Sequence, residues 1–400
     1  MIQGPVRGSV GDADSVVELG NECFTNDRDA GGVLPRWPHA LYQVTNRFVM
    51  KDGARVVSHV GYADQTAIVE GNEIKAAGIT FVSTSPDYRN RGFMTQLLKR
   101  CIEAMTEEGY AFSDLGGNRQ RYGHFGWENA GREWNFHITK RSLDDSSFFS
   151  KSLSKKPEVI NSNMLEGFQV TPYQGSSEEI DAIIAIHEQE PLRMKRTREL
   201  YEMLLGRMGR PVWLASYDND RVSYVITDDS EKYPNIVEFG GNEDGIHTIL
   251  RYFIDHKPVE SIGVSSPWIH PLNHKFFSIS SSWDVRCFRM FKILNLELTL
   301  RGFTNQLVRK YNEFGFQDRQ AVSIGIENTD QIVEIEFNPD NVYVSKTSLS
   351  PSTLILPERD MVKLIFGPGT PYTIVKLPNG LRFLDTLLPL DFYLWGNETV

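Results

Sequence analysis

The sequence predicts an α/β chain of α+β type: two successive mixed sheets with flanking helices, followed by a further α+β part. Three observations lead there. A β-prone apolar run over 77–82 passes through a Ser/Thr/Pro stretch directly into an amphipathic helix. On it Met94, Leu97, Leu98, Cys101, Ile102 and Met105 keep the i, i+3, i+4, i+7 spacing of one buried face. A hairpin, strand, helix and strand then recur in the middle of the chain. From about Leu294, strand patterns lie between helical ones.

Taken in order, Asp12 or Asp14 caps a helix whose Val16, Val17, Leu19, Cys23 and Phe24 lie mostly on one side. Residues 47–60 and 65–82 read as strands, with turns at Lys51-Asp52-Gly53 and Glu70-Gly71-Asn72. Gly109 ends the amphipathic helix, and 110–115 is the next strand. The Ser- and Lys-rich stretch 141–157 reads as a linker or exposed loop. Helices are expected over 180–187 and 198–207, then a hairpin of 213–217 and 221–227 around Asp218-Asn219-Asp220. A strand over 235–239, a helix over 246–255 and a strand over 261–264 complete the repeat. The last part has a helix over 299–311, strands over 321–326, 332–337 and 341–346, and a helix over 358–366. Its aromatic ending, 389–395, carries too much apolar surface for a frayed tail. The expected domains are 1–150, 151–290 and 291–400.

Composition bounds the function. The 400 residues exceed one ordinary domain, and 40% hydrophobic with 24% charged is ordinary globular material. The net charge of −10 is spread along the chain, which argues against nucleic acid and mildly favours a cationic substrate; it identifies no site, and solubility is the stronger reading. No apolar run is long enough for a bilayer, and the first residues lack a signal-peptide core, so no membrane partner and a cytoplasmic setting are expected. Cys23, Cys101 and Cys287 are odd in number and far apart, which reads as buried thiols in a reducing compartment. His270 and His274 stand four apart, but Pro271 and the lack of a third ligand favour a surface loop, and no metal is expected. Gly367-Pro368-Gly369 is turn chemistry.

The chemistry is concentrated between 82 and 95. Arg89, Asn90, Arg91 and Gly92 crowd the start of a helix that follows a strand. Unpaired N–H groups and the positive end of the helix dipole point there, two guanidinium groups add to them, and Gly92 lets a phosphate approach the backbone. That arrangement suits a pyrophosphate; the bland alternative is a solvated helix start with two surface arginines. Neither G-x-x-x-x-G-K-[ST] nor G-x-G-x-x-G occurs there. Farther on, Gly116-Gly117-Asn118 leads to Tyr122-Gly123-His124-Phe125-Gly126-Trp127. A Tyr hydroxyl within reach of a departing thiolate is a sensible general acid, and a ring in the core with its hydroxyl capping a loop is the structural alternative.

Strand, Arg-x-x-Gly helix, strand and Tyr-x-x-Phe-Gly-aromatic resemble the GNAT superfamily of N-acetyltransferases, whose loop reads [Q/R]-x-x-G-x-[G/A]; Met94 departs from it at the last position. The full order, with a motif-stripped second unit and a P-x-x-F-Y-x-W ending, is similar to the enhanced-intracellular-survival family of bacterial acetyltransferases. In the second unit Glu243 and Asp244 stand where the first has arginines, which repels pyrophosphate and implies one CoA site per chain. The resemblance implies tandem GNAT-like sheets, a sterol-carrier-protein-like tail, and a large residue tolerated at 94.

The resemblance further implies acetyl-CoA as cosubstrate. Val82, Ser83 and Thr84 would bind its pantetheine arm, and Arg89, Asn90, Arg91, Gly92, Phe93, Met94 and Thr95 its pyrophosphate. Gly117 and Asn118 would lie near the thioester, with Tyr122 as acid. The base would be the terminal carboxylate of Val400, with the Glu398 side chain as competitor. Phe24, Asp27, Trp37 and Phe81 would line the pocket of a small-molecule amine, core packing being the other reading of Phe24 and Phe81. Homo-oligomers, often hexamers, are a family property. A non-catalytic CoA- or ligand-binding module and a lipid carrier are the competing functions.

Overall fold

The computed structural model describes residues 1–24, 46–145, 167–205 and 209–398. Asp27, Trp37 and Val400 lie outside the described residues. The chain divides into two units, Met1–Gly131 with Cys287–Phe392, and Arg132–Arg286 with Tyr393–Glu398.

The first unit opens with β1 (Ile2–Arg7), β2 (Arg47–Asp52), β3 (Arg55–Val69), β4 (Asn72–Thr84), β5 (Phe112–Leu115) and β6 (Glu128–Ala130). The expected strand 47–60 is two strands, β2 and β3, because the turn foreseen around Asp52-Gly53 reverses the chain, with Gly53 at φ 60°. The helix Ala13–Cys23 begins after Asp12, but that side chain accepts no hydrogen bond from this helix and instead closes the short turn Val10–Asp12 before it. Its carboxylate faces Lys51 Nζ at 2.6 Å and accepts from Ser9 N at 2.8 Å. β2, β3 and β4 run antiparallel, and the helix Phe93–Glu107 carries the chain over to β5, parallel to β4. The predicted face of that helix is the buried one: Leu97, Leu98, Cys101 and Met105 pack with Phe48, Val60, Ile79 and Leu115.

The second unit holds β7 (Glu133–Thr139), β8 (Phe168–Pro172), β9 (Leu192–Met194), β10 (Val212–Tyr217), β11 (Asp220–Thr227), β12 (Asn235–Gly241), β13 (Ser261–Pro267) and β14 (Ser282–Arg286). Its seven-stranded sheet has the order β14-β7-β13-β12-β11-β10-β8. The β10–β11 hairpin turns at Asp218 and Asn219, both at positive φ. The helix Glu243–His256 connects parallel β12 and β13, as the repeat in the sequence predicts, and buries Ile246, Ile249, Leu250 and Phe253. His270 Nε2 lies 3.2 Å from Glu190, and no group of three candidate metal ligands exists among the described residues.

The chain then returns to the first unit. β15 (Arg289–Ile293) pairs antiparallel with both β5 and β6, giving the order β1-β2-β3-β4-β5-β15-β6. After it come β16 (Gln320–Ile326), β17 (Ile332–Phe337), β18 (Val342–Lys346) and β19 (Leu354–Leu356), a four-stranded sheet of order β18-β17-β16-β19. The single helix expected over 299–311 is two, Leu296–Gly302 and Thr304–Glu313. Gly302 sits so close to Ile74 that a Cβ would lie 2.4 Å from Ile74 Cγ1, and the chain changes direction there. The helix Glu358–Phe366 has the predicted bounds; its Phe366 packs on Phe291 of β15 at 5.0 Å. The cysteines depart from expectation in part: Cys101 is buried, Cys23 half-buried and Cys287 exposed. No helix among the described residues is long and apolar enough to cross a membrane.

Candidate active site

The site begins with a defect in β4. Between His59↔Ser83 and Gly61↔Thr80 the β3–β4 register slips, and Phe81 takes φ 58°, a left-handed conformation rare for a phenylalanine. His59 holds the bulge: its Nδ1–H donates to the Phe81 carbonyl at 2.8 Å. Burial drives the imidazole down to about 3, against the pull of that hydrogen bond and with help from Arg47, so His59 is neutral. The Phe81 ring packs into the core with Val16, Leu19 and Phe24, over Gly20, where a Cβ would stand 2.0 Å from Phe81 Cζ. Phe81 is therefore a core ring, while Phe24 lines the cleft described next.

Beyond the bulge, no strand among the described residues pairs with β4 on the β5 side. The parallel β4–β5 ladder comprises Ala76↔Phe112, Ala77↔Ser113 and Gly78↔Asp114, and β4 continues to Thr84. A cleft of about 590 Å³ opens there, walled by Val82, Ser83 and Thr84 and floored by Tyr88 to Thr95, with Cys23, Phe24 and Arg121 at its sides. Ser58 Oγ donates to the Ser83 carbonyl at 3.0 Å and lies 2.7 Å from Thr84 Oγ1, which fixes this wall.

The floor is a helix start with no side-chain cap. Gly92 is its N-cap at φ 73° and Asn90 precedes it at φ 61°, so the backbone curls and presents the N–H groups of Phe93, Met94 and Thr95. A Cβ on Gly92 would meet only Gln96 Nε2 at 4.0 Å; the open conformation, rather than crowding, is what requires glycine. Arg89 and Arg91 are exposed beside it. Arg89 Nε donates to the Thr84 carbonyl at 3.3 Å; Arg91 donates to the Asp87 carbonyl at 3.0 Å and lies over the Tyr88 ring at 4.8 Å. Both guanidinium groups retain donors for an anion. The arrangement offers hydrogen-bond donors and positive charge beside a strand edge.

Tyr122 stands at the end of the short helix Arg119–Tyr122, which follows β5. Asn118 caps that helix, its Oδ1 accepting from Gln120 N at 2.8 Å and Arg121 N at 3.3 Å. Buried Glu128 of β6 holds it from below, accepting from Arg119 Nη2 at 2.6 Å and from Arg359 Nε at 2.9 Å. Burial opposes the Glu128 charge, yet Arg119, Asn129 N–H and Arg359 keep its carboxyl below the usual range. The Tyr122 ring lies on Gly117, where a Cβ would be 2.6 Å from Cε2. Burial raises the Tyr122 hydroxyl above its ordinary value, with Arg121 pulling the other way, so it keeps its proton at neutral pH. Tyr122, Gly117 and Asn118 are not among the residues that line the cleft, but Arg121 is.

Residues 8–130 match the family model described as an acetyltransferase (GNAT) domain. This stretch is similar to a GNAT acetyltransferase domain. No curated protein matches the chain by sequence. Among solved structures it is similar to a probable N-acyltransferase from Enterococcus faecalis V583, at TM-score 0.71 and 14% identity over 99% of this chain and 98% of that one. A GCN5-related N-acetyltransferase from Kribbella flavida aligns at TM-score 0.69 and 15% identity, over 98% and 97%. Eis1 from Mycobacterium abscessus aligns at TM-score 0.65 and 12% identity, over 100% of both chains. The fold is thus the tandem GNAT architecture seen in Eis1, with the matched GNAT domain carrying the cleft.

Cys23, Tyr88 and Arg121 also line the cleft, and the sequence alone did not mark them as site residues. Tyr88 belongs to the stretch that leads into Arg89, and Arg121 adjoins Tyr122 in a basic run, so both carried a local signal. Cys23 carried none beyond its place next to Phe24; its Sγ donates to the Thr84 carbonyl at 3.3 Å, and burial raises its thiol pKa. Glu398, the competing carboxylate, is buried in the second unit. Burial would raise its pKa, but Arg196, aided by His187, holds it below the usual carboxylate range, and its oxygens already accept from Arg196, Met194 N and Trp395 N.

Proposed function

We propose that the protein transfers the acetyl group of acetyl-CoA to a primary amine of a small cationic molecule or peptide. The observation that carries this reading is the pairing of an uncapped, glycine-opened helix start with the unpaired edge of β4 in one cleft. A pyrophosphate needs the first, and an extended amide-bearing arm needs the second. The residues fit that cosubstrate: Arg89, Arg91 and the N–H groups at 93–95 for the phosphates, and the strand edge at 82–84 for the pantetheine arm. Gly117 and Asn118 would shape the far end. Acetyl-CoA supplies the activated acyl group and a thiolate leaving group.

Tyr122 then acts as the acid, giving its proton to the departing sulfur as the new C–N bond forms and the C–S bond breaks. Its hydroxyl carries its proton at neutral pH, as a donor must. Phe24, with Asp27 and Trp37, would face the amine, and the terminal carboxylate of Val400 would take the proton the amine loses.

The test is Arg89→Ala with Arg91→Ala. Each charge-assisted hydrogen bond to phosphate contributes roughly 1.5–3 kcal/mol, so acetyl-CoA affinity should fall about tenfold or more for each arginine removed, with the fold retained. Titration calorimetry showing unchanged affinity in the double variant would remove the basis of the assignment.

A further inference from the structure

The two units part their strands in the same way. In the first, the parallel pairing of β4 with β5 stops at Gly78↔Asp114 and β4 runs on to Thr84 before the helix Phe93–Glu107. In the second, the parallel pairing of β12 with β13 stops at Ile236↔Val264, and β12 runs on to Gly241 before the helix Glu243–His256. The slot so formed in the second unit is filled by the chain itself. Gly396 N donates to the Val237 carbonyl of β12 at 2.9 Å, and the approach is so close that a Cβ on Gly396 would lie 2.8 Å from Val237 Cβ. Trp395, fully buried, meets Phe239 of β12 edge-on at 5.1 Å. Tyr393 donates its hydroxyl to Glu133 of β7, the strand beside β13, at 2.7 Å.

The last described residue locks the segment with charge. Glu398 Oε1 accepts from Arg196 Nε at 3.0 Å and Nη2 at 2.7 Å, and from Met194 N at 3.2 Å; Oε2 accepts from Trp395 N at 2.9 Å. Arg196 also donates twice to Glu238 of β12, at 2.9 Å each. Asn397 Nδ2 donates to the Leu204 carbonyl at 3.0 Å, and Arg210 donates to Gly396 O and Asn397 Oδ1 at 3.1 Å each. Meanwhile Asn242 caps the following helix and Glu243 and Asp244 fill its first turn, so the anion site of the first unit has no counterpart.

We propose that the second unit is a peptide socket. Its parted-strand slot binds the segment Tyr393–Glu398 as a ligand that ends in a turn, with Glu398 N donating to the Trp395 carbonyl at 2.8 Å, reads the Glu398 carboxylate through Arg196, and does not accept acyl-CoA. The ligand class is a peptide with a buried aromatic, a glycine flush against the strand, and a carboxylate two residues beyond that glycine. The inference concerns a unit the acetyl-transfer reading does not use, and none of its tests depends on turnover.

A chain ending at Phe392 is mixed with a fluorescein-labelled synthetic peptide of residues 393–400, and binding is followed by anisotropy. Saturable binding is expected, weakened about tenfold or more by Glu398→Gln in the peptide, and undisturbed by excess acetyl-CoA. No binding to the folded shortened chain, equal affinity of the Glu398→Gln peptide, or displacement by acetyl-CoA would each overturn the proposal. Where the shortened chain does not fold, carboxypeptidase digestion of the 400-residue chain, read by mass spectrometry, decides. The wild type should be trimmed no further than Glu398, and Glu398→Gln should be trimmed into 393–397. Identical trimming past 398 in both would refute the socket.

Discussion

Gly117 tests whether Tyr122 works through its position. A Cβ at residue 117 would stand 2.6 Å from Cε2 and 2.9 Å from Cδ2 of the Tyr122 ring. Carbon atoms in contact sit about 3.5–4.0 Å apart, so Gly117→Ala requires the ring or the loop to move by roughly 1 Å. The ring has little room: it is 5% exposed and packs in the core with Leu115, Trp127 and Met290. Its helix is pinned at one end by the Asn118 cap and below by the Arg119–Glu128 pair. Overpacking of this kind costs about 1–3 kcal/mol, and a misplacement of about 1 Å at a reacting group costs up to about a hundredfold in rate. We expect Gly117→Ala to lower kcat by about tenfold to a hundredfold. Acetyl-CoA affinity, set by Arg89 to Thr95 across the cleft floor, should change little. Thiol release at saturating acetyl-CoA gives kcat, and calorimetry gives the affinity. The double variant Gly117→Ala/Tyr122→Phe separates cause from coincidence: if Gly117 acts through Tyr122, the double is no slower than Tyr122→Phe alone. Wild-type kcat in Gly117→Ala, or a double variant slower by the product of the two single effects, would refute the reasoning.

Tyr122→Phe itself should keep acetyl-CoA affinity and lower turnover by about two orders of magnitude, and wild-type turnover would make Tyr122 purely structural. Stability should fall with acid through His59: burial lowers its pKa from 6.5 to about 3, so the folded state resists a proton that the unfolded chain binds. The contribution is therefore intact above about 6.5 and is lost at up to about 1.4 kcal/mol per pH unit as pH falls from 6.5 towards 3, with His247 in the second unit acting in the same sense. Urea midpoints at pH 7 and pH 5 should differ in the wild type and differ less in His59→Gln; equal midpoints in the wild type would contradict a neutral buried imidazole.

What was legible in the sequence was what consecutive residues decide. The helix Phe93–Glu107 follows from its periodicity, and its glycine-opened start follows from Gly92, with Arg89 and Arg91 within one turn of it. The helix Glu358–Phe366 likewise carries its own stop at Gly367. What was not legible depends on partners far along the chain. β15 is a five-residue strand whose place between β5 and β6 is set by Leu115, Phe112 and Glu128, and nothing local announces it. The break between Gly302 and Thr304 lies where Gly302 packs on Ile74, far back in the chain, and the helical pattern there does not show it. Glu398 shows in the sequence as a carboxylate near the end; Arg196, which turns it from a base into an anchor, does not.

The parted strands impose a demand that the two units meet differently. Where a parallel ladder stops while its strand continues, N–H and C=O groups lose their partners, and each such group left buried costs roughly 1–3 kcal/mol. The first unit keeps 82–84 beside an open cleft, with side chains of Ser58, Cys23 and Arg89 donating to the Ser83 and Thr84 carbonyls. The second unit has closed its slot, and the Val237 carbonyl is satisfied by Gly396 N. Once a segment of the chain fills the slot, arginines at the following helix start have no anion to meet, and Glu243 and Asp244 favour that helix terminus instead. A helix start without a side-chain cap beside an open cleft, and a capped acidic one beside a buried aromatic segment, thus both go with what meets the strand edge.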